Sequence, residues 1–141
     1  EAAIDARLLE LEITESVALF GWAQTVERMR AIKALGASIA IDDFGTGFSS
    51  LSYLARLPTD CLKIDRSFVA ALGNRHSGTP IAELVVQLGK QLGMRVLAEG
   101  VGNPLQLQTL RSLGCHEGQG MVFAPPMEQQ DLLHWLRGRE P

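Results

Sequence analysis

Three times in this chain a stretch suited to helix stops at Leu-Gly and a short strand-like run follows at once, at Leu35-Gly36, Leu92-Gly93 and Leu113-Gly114. A glycine just past a helix supplies the left-handed turn that closes its last carbonyls. Repeated ahead of successive strands, this punctuation dictates strand–helix alternation, which folds as a parallel sheet covered by helices. The candidate strands lie at residues 8–13, 38–42, 61–64, 95–99 and 115–119. Candidate helices occupy 17–35, 50–57 and 67–72, and a final one covers 128–137. Between them, Thr79-Pro80 and Asn103-Pro104 each place a capping residue before a proline at the first helical position, opening helices that run to 92 and 113. Leu19, Trp22, Val26, Met29 and Ile32 form one face of the first long helix, and Ile81, Leu84, Val85, Leu88 and Leu92 one face of the helix after Thr79. Residues 73–79 read as a polar loop.

Two architectures accommodate five such units. One is an open doubly wound sheet; the other is part of an eight-stranded barrel, which needs about 250 residues when whole. The 141 residues make a single domain, with no linker or low-complexity tract inside. With 46% hydrophobic and 21% charged residues the chain is globular rather than disordered. A net charge of −3 argues against a DNA-binding surface, and no apolar run approaches the ~18 residues of a membrane span. Cys61 and Cys115 lack metal-ligand spacing, as do His76, His116 and His134, so two buried thiols in a reducing cytoplasm are expected. The chain starts at Glu1 without a leader-like segment, and the expectation is a piece of something longer.

Chemistry separates the two architectures. Every candidate strand delivers polar groups near its carboxyl end: Glu12 with Glu15 just beyond, Asp42 and Asp43, Lys63 and Asp65, Glu99, and Gln119. The carboxyl ends of parallel strands are where α/β proteins build their sites. Glu12, Asp42, Asp43 and Glu99, if convergent, are like charges that raise one another's pKa unless a cation joins them. Mg²⁺ or Mn²⁺ suits all-oxygen ligands, and two such ions about 3.5–4 Å apart clamp a phosphodiester and activate water. Lys63 then stands as a cation beside that water or the developing phosphorane charge. The run Asp43-Phe44-Gly45-Thr46-Gly47-Phe48-Ser49-Ser50 is a weak phosphate-loop signal and reads better as a glycine-flexed loop that positions metal ligands.

At these residues the sequence resembles the EAL family of cyclic di-GMP phosphodiesterases. The resemblance rests on Leu11-Glu12-Ile13-Thr14-Glu15-Ser16, on Ile41-Asp42-Asp43-Phe44-Gly45-Thr46-Gly47-Phe48-Ser49-Ser50, and on Leu62-Lys63-Ile64-Asp65, Ala98-Glu99-Gly100-Val101 and Gln119-Gly120, in the family's order and spacing. It implies an α/β fold, an incomplete (β/α)8 TIM-like barrel holding about the last five βα units with parallel strands. Residues 1–141 are then the C-terminal portion of a single EAL domain, without the Glu-Ala-Leu signature strand. It implies metal-dependent hydrolysis of cyclic di-GMP to linear pGpG in bacterial second-messenger signalling, with little activity in this piece alone, since ligands on the absent strands are missing.

By position, the resemblance makes Glu12 a metal ligand, Asp42 a carboxylate bridging two metals, and Asp43 a ligand of the second. Lys63 becomes the lysine beside the attacking water, a role related to general-base catalysis, and Glu99 a further metal-site carboxylate acting in catalysis, directly or through water. Glu15 becomes the brace of the loop after Asp43, and Gln119 a substrate neighbour. The loop of Phe44, Gly45, Thr46, Gly47, Phe48 and Ser49 becomes the link to dimerisation. A homodimer or the missing part of the barrel is the implied partner, with GGDEF or sensor domains upstream, a cytoplasmic setting and a parent open to membrane tethering. The family usually has glutamate at Gly102, tyrosine at Met121 and aspartate at His116. These departures sustain an alternative, a degenerate module that binds cyclic di-GMP or a protein without cleaving it. A phosphoacceptor receiver domain is a third candidate, disfavoured because its acidic pair follows the first strand and here the pair follows the second.

Overall fold

The computed structural model describes residues 4–46, 51–72 and 79–138. A 3-10 turn at Ala6–Leu8, capped where the Asp5 carboxylate accepts the Arg7 N–H at 3.0 Å, takes ground expected to be strand. Strand β1 therefore runs Glu10–Thr14. The single helix expected over 17–35 is two, α1 (Glu15–Leu19) and α2 (Trp22–Ala34), because Gly21 turns left-handed at φ +61° between them. Strand β2 (Ser38–Phe44) runs two residues beyond its expected end. A short α3 (Leu51–Leu54), β3 (Cys61–Ile64) and α4 (Arg66–Ala70) follow. Then come α5 (Thr79–Leu92), β4 (Arg95–Ala98), α6 (Pro104–Leu113), β5 (Glu117–Gly118) and α7 (Gln129–Arg137). Gly36, Gly93 and Gly114 stand at φ +100°, +68° and +86°, the conformation their places after three helices require. The proposed polar loop lies outside the described residues apart from Thr79.

The strands form one parallel sheet in the order β1-β2-β3-β4-β5. A doubly wound sheet, receiver domains included, reverses its strand order at a switch point. Strictly sequential order with right-handed crossovers instead puts every helix on one face, as in a (β/α) barrel. The packing agrees. Ile39, Ile41, Leu62, Ile64 and Ala98 point to the helices and join Val26, Met29, Val85, Val86 and Leu110 in the core. The opposite, concave face carries Glu10, Glu12, Asp42, Lys63 and Arg95 around the small, buried Ala40 and Cys61. Burial pushes the Cys61 thiol up to about 11, which keeps it protonated and inert.

Helix α5 meets the core largely on the expected face, with Val85 buried and Ile81, Leu88 and Leu92 packed against it, but the contact is displaced to one side. Ala82, Val85 and Val86 are buried while Leu84 is 63% exposed. The cause is Gly89: a side chain there would collide with Val96, and its absence lets the helix settle onto β4 along the Ala82–Gly89 side. Of the face expected on the first long helix, Val26 and Met29 are buried and Trp22 and Ile32 pack against them, while the Leu19 side chain lies outside the description. Strand β5 stops after two residues because the chain folds back at Gly120, φ +149°, where a Cβ would overlap the backbone of Val101.

Two glycines with different surroundings test this reading. Gly120→Ala is expected to cost more than about 2 kcal/mol, combining backbone strain with a collision that cannot relax. Gly93→Ala, with open space around it, is expected to cost only about 1 kcal/mol from its positive φ. Denaturant midpoints of the two variants check the order; equal losses would contradict it.

Candidate active site

Alternation along parallel strands sends every second side chain to the concave face. On β1 that register exposes Glu12, on β3 it points Lys63 inward, and just past β4 it presents Glu99. Lys63 is 3% exposed, and its ammonium meets Glu12 Oε1 at 2.7 Å, Glu99 Oε1 at 2.7 Å and Asp42 Oδ1 at 3.1 Å. Three carboxylates from three other strands thus converge on one cation. Burial works against that charge, but hydrogen bonds to Glu12, Glu99 and Asp42 outweigh it and hold the lysine above its ordinary range.

Asp42 and Asp43 are adjacent, and an ideal strand would send them to opposite faces. The β2–β3 register slips between Ile41 and Phe44, and Asp43 adopts φ +53°, alone among the described non-glycine residues in doing so. The Asp43 N–H donates to Asp42 Oδ1 at 3.0 Å. Aspartate tolerates the left-handed region better than most residues. With this irregularity, Asp42, Asp43 and Glu99 bring carboxylate oxygens within 4.8 Å of one another. An all-carboxylate, hard-oxygen set at that spacing suits a small divalent cation. Glu12 lies outside this threesome and reaches it through Lys63.

Supporting contacts hold the mouth in place. Glu15, buried at the start of α1, accepts the Gly45 N–H at 3.3 Å, and Thr46 donates its N–H and hydroxyl to the Asp43 carbonyl at 3.3 and 2.8 Å. Phe44 is buried in the core. Gly47, Phe48, Ser49 and Ser50 lie outside the described residues. Gln119 donates Nε2 to Glu99 Oε1 at 2.9 Å, so it touches the cluster directly. Asp65 is not drawn in; it caps α4 by accepting the Ser67 N–H and hydroxyl.

Sequence reasoning missed Gln106, which is buried and accepts the Gly102 N–H at 2.8 Å. It also missed Glu10, Arg95 and Glu117, a second charged row on the same face. The signal was present for that row: Glu10 precedes Glu12, and Arg95 precedes Glu99, at even spacing on one strand face.

With this geometry in view, comparison with known proteins is decisive. The EAL domain family matches residues 1–126. This chain belongs to the EAL domain family. It is 41% identical over 137 residues to the cyclic di-GMP phosphodiesterase NbdA of Pseudomonas aeruginosa, covering 97% of this chain and 18% of NbdA. A solved structure of the PaMucR phosphodiesterase in complex with c-di-GMP superposes with a TM-score of 0.87 at 40% identity, covering 92% of this chain and 52% of that one. A manganese and cyclic di-GMP complex of Klebsiella pneumoniae BlrP1 matches with a TM-score of 0.79 at 32% identity, covering 87% and 31%. The chain thus spans about a fifth of NbdA and about half of the PaMucR structure. The acidic cluster and the metal-bound relative together support a divalent-metal site. No helix among the described residues is long and apolar enough to cross a membrane.

Removing the cation tests what it holds together. Lys63→Met is expected to lower stability by about 2 kcal/mol, since it leaves the partly buried Asp42 and Glu99 carboxylates facing each other and Glu12 without a cation. Raising pH has a distinct signature. The folded pKa lies above the unfolded value of about 10.4, so the lysine's contribution is complete below that pH and is lost only as pH rises through the folded value. Denaturation profiles of parent and Lys63→Met should therefore differ by a constant amount from pH 8 to 9.5; a gap that closes in this window would contradict the assignment.

Proposed function

We propose that this chain supplies the C-terminal, metal-holding part of a cyclic di-GMP phosphodiesterase, which hydrolyses the cyclic dinucleotide to linear pGpG. The observation that carries this reading is the convergence of Glu12, Asp42 and Glu99 on Lys63 beside the Asp42–Asp43–Glu99 cluster. In this reading Asp42, Asp43, Glu99 and Glu12 hold Mg²⁺ or Mn²⁺ in a two-metal site completed by the remainder of the domain. When bound, such ions supply Lewis acidity toward the phosphate oxygens and lower the pKa of a coordinated water.

The chain's own groups do the rest. Water adds to phosphorus and gives up a proton, the bond to the ribose 3′ oxygen breaks, that oxygen takes up a proton, and a linear dinucleotide with a 5′ phosphate and a 3′ hydroxyl leaves. Lys63, which hydrogen bonds to Glu12, Glu99 and Asp42 hold above its ordinary range, orients water and offsets negative charge. Glu99, whose Oε1 meets the Lys63 and Gln119 donors, takes up the proton of the water. Glu15 braces the Phe44–Gly45–Thr46 segment through Gly45, and Gln119 contacts both Glu99 and substrate. The same resemblance supports a homodimer linked through the segment from Phe44 to Ser49, and upstream GGDEF or sensor domains. The strands β1 and β5 each pair on one side only among the described residues, which suits closure by further strands of the barrel.

A second reading, binding without cleavage, is favoured by Gly102, where the residue has no side chain to offer and Gln106 takes its N–H. One experiment separates the two. Hydrolysis of cyclic di-GMP by the full-length protein with Mn²⁺ is expected, falling at least 100-fold in Asp42→Asn, in keeping with the loss of transition-state charge stabilisation. Equal rates in both proteins would overturn the role of Asp42. Tight binding without turnover in the parent would establish the second reading.

A further inference from the structure

The concave face carries a second row of ion pairs that the proposed chemistry does not use. Arg95, at the start of β4, donates Nη1 to Glu117 Oε2 at 2.8 Å and Nη2 to Glu10 Oε2, so one guanidinium joins the first strand to the fourth and fifth. Glu10 also accepts the Ser38 hydroxyl at 3.0 Å.

Register explains how the arginine crosses. Glu12 is level with Ala40, Ala40 with Cys61, and Cys61 with Arg95. The concave side chains between β4 and β1 at that level are therefore the small Ala40 and Cys61, both fully buried, which leave a lane over β2 and β3. Arg95 stands two residues above the level of Glu10 and two below Leu97, the partner of Glu117. Lys63 repeats this step: it stands two residues above the level of Glu12, and Leu97, its partner, lies two below Glu99. The rows climb the sheet in parallel, sharing β1 and β4 as their ends.

In a flat sheet β1 and β4 would be three strand spacings apart, about 14 Å, and the two-residue offset between Arg95 and Glu10 adds about 7 Å along the strands, so side chains rising perpendicular to the sheet would not meet. The clasp thus exists only in the curved sheet, and among the described residues β1 pairs otherwise with β2 alone. At 44% side-chain exposure Arg95 contributes little to stability as an ion pair. Its contribution is geometric. We propose that Arg95 is a positioning residue, whose clasp on Glu10 and Glu117 fixes the curvature at which Glu12 and Glu99 both reach Lys63. The two contacts use different nitrogens of a rigid fork, which a lysine ammonium does not reproduce.

This inference rests on reading the Lys63 row as the reacting site, and the test keeps the two apart. In the full-length protein, a crystal structure of Arg95→Met is expected to lose the Lys63 contact to Glu12 or to Glu99, with thermal stability little changed. Mn²⁺ affinity, read from the electron paramagnetic resonance of the free ion, should fall about tenfold, and Arg95→Lys should not restore it. Glu10→Met cuts the clasp from the other end and should lose the same contact. Unchanged Lys63 distances with parental Mn²⁺ affinity would overturn the proposal. If the unsubstituted protein binds no Mn²⁺, the metal reading fails by itself, and the Lys63 contacts in the variants still decide the role of Arg95.

Discussion

An ammonium shared by three carboxylates organises the mouth of this domain. Lys63 sits on the innermost strand of the five, nearly out of reach of solvent, and its partners come from β1, β2 and the end of β4. Without a cation at that point, Glu12, Asp42 and Glu99 would repel one another and spread. With it, residues far apart along the chain are held in one place before any ligand arrives. Such preorganisation lets electrostatic groups act without first being rearranged.

The second constraint is local and costs backbone regularity. Asp42 and Asp43 share the mouth because β2 slips register and Asp43 turns left-handed. Strain of this kind persists where surrounding structure over-determines it. Here Phe44 is anchored in the core, Glu15 takes the Gly45 N–H, and Thr46 bonds back to Asp43 on both its nitrogen and its hydroxyl. The buried face of the sheet thereby stabilises the exposed irregularity that the site needs.

Much of this was legible from local chemistry. The three Leu-Gly stops marked helix ends because few other residues adopt the left-handed turn there, and β3 and α6 have the bounds that strand chemistry and the Asn103-Pro104 cap indicate. Strand-end polar residues pointed to the mouth because parallel strands share one direction. What stayed hidden depended on packing between elements. The break at Gly21 leaves helical periodicity intact on both sides, and Leu84 fits the apolar spacing of α5 yet lies outside the side on which Ala82, Val86 and Gly89 approach the sheet. The Asp42–Asp43 slip appears only once β2 is paired with β3. The Arg95 row escaped notice because charged residues on strands were read at their carboxyl ends alone, whereas a barrel interior repeats them every second position.

The most direct test of convergence is anomalous diffraction from Mn²⁺-soaked crystals of the full-length protein. A manganese peak at coordination distance, about 2.1 Å, from oxygens of Asp42 and of Asp43 or Glu99 is expected, with Lys63 still meeting at least one carboxylate. Manganese bound only elsewhere, with these side chains turned away from one another, would contradict a shared metal-holding mouth.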